Sequence, residues 1–137
     1  MTAPVSSAPV ESIDEAGWKR ALKSDGAFRR ATRGWTGSFA FSDGHLHVCV
    51  VLESGGVVSV SADDGTIEAD VVFVGPAEGW ERVFAAAPPP YYQDLLGGAV
   101  GHHGFSATGD TATMAAYYGA IQRAVFVAGK VIRGEVL

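Results

Sequence analysis

Apolar residues first recur with a helical spacing. Ile13, Ala16, Ala21 and Leu22, with Trp18 nearby, form one stripe. Lys19, Arg20 and Lys23 lie toward the far end, where cations complement a helix dipole. Ser12 and Glu15 have the spacing of a capping box and place the helix start there, and Asp25-Gly26 is its stop. A second short helix is expected over Ala27–Thr32, with Phe28 inward, Arg29 and Arg30 outward, and Arg33 just beyond its end.

The period then drops to two. Trp35, Gly37, Phe39 and Phe41 alternate with Thr36, Ser38, Ala40 and Ser42, the pattern of a half-buried strand. Leu46, Val48, Val50 and Leu52 form the apolar face of the next strand, opposite His45, His47, Cys49 and Glu53. Turn signals at Ser42-Asp43-Gly44, Ser54-Gly55-Gly56 and Asp63-Asp64-Gly65 bound these and two further strands, Val57–Ala62 and Ile67–Val74. An antiparallel meander of four strands is the expectation.

Helical spacing returns after Gly75-Pro76, with Trp80, Val83 and Phe84 on the buried side and Glu78, Glu81 and Arg82 in water. Pro88-Pro89-Pro90 enforces an extended break. Tyr91–Leu96 reads as another short helix, closed by Gly97-Gly98, and His102–Thr108 as a fifth strand. Gly109-Asp110-Thr111 opens the last helix, with Asp110 or Thr111 as N-cap. The order α-α-β-β-β-β-α-α-β-α is that of an α+β domain, not of βαβ units.

Composition narrows the function classes. A chain of 137 residues is one domain by length, here a single domain over 12–137 behind a loose tail over 1–11 rich in Pro, Ser and Ala. A net charge of −5 argues against nucleic acid as a partner. The single Cys49 excludes a disulfide framework and a multi-cysteine zinc module. No cofactor is expected: Gly97-Gly98-x-x-Gly101 lacks the phosphate-loop lysine, and no G-x-S-x-G elbow exists. Tyr117, Tyr118, Gln122, Arg123 and Lys130 interrupt the apolar stretch Met114–Val131, so stable membrane insertion is not expected. The first residues lack the basic and apolar regions of a signal peptide, and a cytoplasmic protein is the expectation.

The tract DGAFRRATRGWTGSFAFSDG resembles the opening of domains of the sterol carrier protein type. GTIEADVVFVGPAEGWERVF, with Ala69, Asp70, Val71, Val72 and Trp80, resembles the family's alanine-aspartate, strand and helix segment. LLGGAVGHHGFSATGD, with Leu96, Gly98, Phe105, Gly109 and Asp110, is similar to its leucine, glycine, short strand and glycine-acid segment. These pieces fall in the family's order over residues 25–128. The resemblance implies a five-stranded, mainly antiparallel sheet covered by helices, and an apolar tunnel between them that takes sterols, fatty acids or acyl-CoA esters. A lipid-carrier role in peroxisomes is not implied, since Gly134-Glu135-Val136-Leu137 is not the targeting tripeptide of that organelle.

The residues themselves point the same way. Between Thr111 and Ala128 only Arg123 carries a formal charge, so the last helix is either buried on every side or lines a cavity. Met114, Tyr117, Tyr118 and Ile121 are its candidate ligand contacts, and Trp80, Phe84, Tyr91, Tyr92 and Phe105 recur where the tunnel would be entered. The alternative is that these aromatics simply pack helices onto the sheet. His45, His47 and Cys49 share a strand face without further ligands, so no metal is expected there. His103, in phase with Phe105 and Ala107, is a candidate acid or base beside Asp110, Tyr117 or Tyr118.

Three functions stay open at this point. The first is a small binding protein that holds a sterol, fatty acyl or similar lipid-like molecule in an internal cavity. The second is a cofactor-free isomerase, hydratase or cyclase that uses His103 or Asp110 on a polyketide-, terpene- or steroid-like substrate. The third is an accessory subunit whose apolar helix docks on a larger enzyme; a homodimer or protein partner is open too. Six of the ten Lys and Arg side chains fall between Lys19 and Arg33, a patch for an anionic membrane, a coenzyme A phosphate or only solvent.

Overall fold

Asp25 joins the first two helices. It ends α1 (Glu15–Ser24) in an extended conformation, and its carboxylate accepts the Phe28 N–H at 2.8 Å as the N-cap of α2 (Gly26–Ala31). The computed structural model that shows this describes residues 10, 12–63, 68–88, 92, 95 and 104–135. The start of α1 is corrected. The helical ladder begins with Trp18 N–H on the Asp14 carbonyl, so the N-cap is Asp14 and Ser12 lies ahead of it. Val10, assigned by sequence to the tail, is buried in the core, and Ile13 N–H donates to its carbonyl.

The five strands are β1 (Gly37–Ser42), β2 (His47–Glu53), β3 (Gly56–Asp63), β4 (Val71–Val74) and β5 (Ser106–Gly109), in the sheet order β3-β2-β1-β4-β5. β1, β2 and β3 form the expected antiparallel meander, with a register shift between Val51 and Leu52. The fourth strand corrects it. β4 pairs parallel to β1, Phe39 opposite Val71 and Phe41 opposite Phe73, and β5 closes the sheet antiparallel to β4. Alternation tells which face a residue occupies but not which strand lies beside it. β1 is central, with neighbours on both edges, and Phe39, Ala40, Phe41 and Ser42 are all buried rather than alternately so.

Gly109 explains how the last strand meets the fourth. Its φ of +120° suits glycine, and a Cβ there would overlap the Asp70 carbonyl oxygen, which accepts the Asp110 N–H at 2.8 Å. Asp70 in turn accepts the Ser38 N–H through its carboxylate (2.9 Å) and donates its own N–H to the Ser38 hydroxyl (3.0 Å). The Ala69-Asp70 and Gly109-Asp110 pairs are thus one junction in space.

Helix α3 (Ala77–Val83) buries Trp80 and Val83, and α4 (Thr111–Ile132) returns along the sheet. α4 is not buried throughout, one of the two arrangements its apolar sequence allowed. Ala120, Ile121, Ala124, Val125, Val127 and Ala128 are buried, whereas Thr111 to Gly119 are half-buried or exposed. The second half is held by α1 and α2, where the Trp18 indole donates to the Ala124 carbonyl at 3.1 Å. Phe126 stays 46% exposed, with the Arg123 and Lys130 cations 4.8 and 5.1 Å from its ring centroid. The expected helix over Tyr91–Leu96 lies outside the described residues except for Tyr92 and Leu95, as does the start of the fifth strand at His102. Among the described residues no helix is long and apolar enough to cross a membrane.

Candidate functional site

The site is built where the first half of α4 crosses the sheet. Asp110 starts the helix: its carboxylate accepts the Thr113 hydroxyl at 2.7 Å and the Ala112 N–H at 3.2 Å. These bonds, the Thr113 hydroxyl foremost, hold its carboxyl below the usual carboxylate range. Asp110 is exposed, so the structure gives this candidate acid or base a capping role at the rim.

One turn further on, α4 departs from helical geometry at Tyr117 (φ −121°, ψ 15°). The Tyr117 ring stacks on Trp35, with centroids 4.4 Å apart and planes within 2° of parallel. Trp35 stacks in turn on Phe39 at 5.7 Å. Tyr118 leans over Phe73 at 6.3 Å and donates its hydroxyl to Gln122 Oε1 at 3.3 Å, which also accepts the Leu95 N–H. Met114, Tyr117 and Tyr118 pack on the core while remaining half-buried, together with Ala107 of β5. Their neighbours along the helix, Ala115, Ala116 and Gly119, are small and exposed. The result is a half-buried, aromatic-backed surface that carries two tyrosines.

The other candidates sit differently. Trp80 is fully buried and donates its indole N–H to the Ser42 carbonyl at 2.8 Å. Phe41, Phe84 and Phe105 surround it at 5.1, 5.5 and 5.0 Å. A Cβ on Gly75 or Gly79 would strike the Phe105 ring at 2.5 or 2.7 Å, which shows how closely that ring is packed. Ile121 is likewise fully buried. Trp80, Phe84, Phe105 and Ile121 are therefore buried in the core of this structure. Tyr92 stays half-buried, its ring 6.4 Å from Phe105 and 5.4 Å from the Arg82 guanidinium carbon. Tyr91 and His103 lie outside the described residues.

Two site residues escaped the sequence reading. Trp35 was placed within a strand, yet it precedes β1 and supplies the partner for Tyr117. Gln122 is the one uncharged amide on an apolar helix and stands four residues after Tyr118, a spacing that could have revealed their bond. His45 precedes β2 rather than sharing its face: it is exposed, and its N–H bonds to the Asp43 carboxylate. Among the described residues no three His, Cys, Asp or Glu side chains gather as a metal site.

A hollow of about 160 Å³ opens between the end of α3 and α4, walled in part by Phe84, Gln122, Val125 and Phe126. It adjoins the aromatic surface through Gln122. A larger groove and an arginine-lined hollow occur far along the sheet, beside α1 and α2.

No family model matches this chain, and no curated protein matches it. Solved structures do. The crystal structure of sterol carrier protein 2 is 25% identical, covers 86% of this chain and 97% of its own, and superposes with a TM-score of 0.69. A conserved hypothetical protein of Thermus thermophilus, described as a sterol carrier protein candidate, is 25% identical. It covers 94% of this chain and 95% of its own with a TM-score of 0.67. The α+β fold of this chain is that of the sterol carrier proteins.

Proposed function

We propose that this domain, built on the sterol carrier protein fold, binds an apolar small molecule of the sterol or fatty acyl class. Its ligand would lie against Met114, Tyr117 and Tyr118. The observation that carries the reading is the kink at Tyr117, which leaves three large apolar side chains half-buried beside exposed alanines and glycine. Covering such a surface gains about 25 cal/mol per Å² of apolar area. The Tyr117 and Tyr118 hydroxyls would orient the ligand's polar end, and Tyr91 and His103 belong to the proposal as an aromatic and a polar contact.

The reading is of binding rather than turnover. Of the two groups expected to move a proton, His103 and Asp110, Asp110 is exposed and committed to the helix start. Ionised and below its usual range, it is a weak base and carries no proton to give at neutral pH.

A thermal-shift screen of delipidated protein against sterols, fatty acids and polycyclic aromatics tests the proposal. A ligand at about 100 times its Kd adds about 2.7 kcal/mol, several degrees for a chain of this size. The expected result is a shift with one chemical class that Met114→Glu abolishes in a folded protein. No shift with any class contradicts the reading.

A further inference from the structure

A second groove lies where the first helices meet the β2–β3 turn. It has a volume of about 460 Å³ and runs between α1, α2 and that turn. Its floor is apolar: Leu22, Phe28 and Val57 are buried, and Val58 is 46% exposed. Lys23 and Arg29 stand over it, and Glu53 is the one acid among its lining residues. Beside it a hollow of about 300 Å³ is lined by Gly26, Arg29, Arg30 and Arg33. Arg29 lines both, so the apolar groove and the arginine hollow are neighbours across one side chain.

Arg29, Arg30 and Arg33 are exposed and together give the hollow a positive potential that attracts an anion. The acid nearest in sequence, Asp25, does not serve, because Phe28 N–H and the Arg123 guanidinium take its carboxylate. Arg29, Arg30 and Arg33 make no ion pair among the described residues. A Cβ on Gly26 would meet the tip of the Arg30 side chain at 3.3 Å. The groove's far wall is rigid, since the Thr32 hydroxyl bonds the Gly55 carbonyl at 2.9 Å and Gly55 N–H bonds the Trp35 carbonyl at 2.8 Å.

We propose that this groove and hollow form a site for a soluble organic phosphate with a short apolar tail, the phosphate among Arg29, Arg30 and Arg33 and the tail over Leu22, Phe28, Val57 and Val58. Guanidinium forks match phosphate oxygens in pairs, which a lysine cluster does not. The site is separate from the α4 surface and stands or falls independently of it.

Octyl phosphate below its micelle concentration is the probe, followed by calorimetry and amide NMR on the full chain. The expected result is saturable binding with shifts at Phe28, Arg29, Gly55 and Val58. Inorganic phosphate and octanol should each bind at least tenfold more weakly. Arg29→Gln with Arg33→Gln should weaken octyl phosphate about tenfold or more with the melting temperature unchanged, whereas Glu53→Gln should strengthen it. Val58→Asp should remove the advantage over inorganic phosphate. Shifts confined to Met114, Tyr117 and Tyr118 would overturn this site and favour the α4 surface. Equal binding of inorganic phosphate, binding only to phosphatidic acid vesicles, or no binding would also overturn it.

Discussion

Asp25 accepts two hydrogen bonds from the Arg123 guanidinium, at 2.9 and 2.8 Å, across 98 residues of sequence. The same carboxylate caps α2, so one side chain ties the junction of the first two helices to the last one. The Arg123 bond is the main reason that the Asp25 carboxyl lies below its usual range; burial opposes it and the Phe28 N–H adds to it.

A depressed carboxylate stabilises the fold above its unfolded-state pKa, near 3.9, and that contribution is lost as the pH falls through the folded value. Asp25→Asn keeps a capping oxygen but loses the charge. With Arg123 about a third exposed, its cost at neutral pH should be about 1–2 kcal/mol, a Tm drop of roughly 3–8 °C. Thermal melts from pH 7 to pH 2 should show that gap hold to about pH 5 and close below pH 4. A gap that widens in acid would contradict the assignment.

Gly109→Ala should cost more than about 3 kcal/mol, because the positive φ and the Asp70 carbonyl leave no place for a methyl group. Gly44→Ala, at φ +96° but with open space around it, should cost less than Gly109→Ala. Urea unfolding of both variants measures the difference. Equal losses would mean that the β4–β5 junction adds nothing to the backbone strain.

Tyr117→Leu keeps apolar volume and removes the stack on Trp35. A stability loss of about 1 kcal/mol is expected from the ring pair. Tyr117→Phe should leave stability unchanged while weakening ligands that carry a polar head. Denaturation and ligand titration of the two variants separate the ring from the hydroxyl.

Cys49 sits half-buried on β2, where burial first and the Asp70 charge second push its thiol up. Alkylation by iodoacetamide should therefore be slow at pH 7.5, with a rate-against-pH midpoint above the ordinary value of about 8.5. A midpoint at or below that value would contradict this environment.

Local patterns carried most of the fold. The stop of α1 at Asp25, the three-strand meander and the Asp110 cap follow from spacing that neighbours in sequence can read, whereas the start of α1 lies at Asp14 rather than Ser12. What escaped was long-range choice. Nothing in Val71–Val74 says that it pairs with β1 in parallel, because a strand's alternation is the same beside any neighbour. The site divided along the same line. Met114, Tyr117 and Tyr118 share one helix, so their half-buried grouping follows a local pattern, whereas the packing of Trp80 and Phe105 around Gly75 and Gly79 joins segments that no local pattern relates. The Trp35–Tyr117 stack joins residues far apart in the chain, with no local pattern to announce it.

The chain has two methionines, Met1 and Met114. Methyl labelling at methionine therefore reports on the α4 surface with one signal from the site and one internal control. Titration with the sterol or fatty acid that raises the melting temperature should move the Met114 methyl resonance saturably and leave that of Met1 in place. A ligand that stabilises the protein without moving Met114 would contradict binding at this surface.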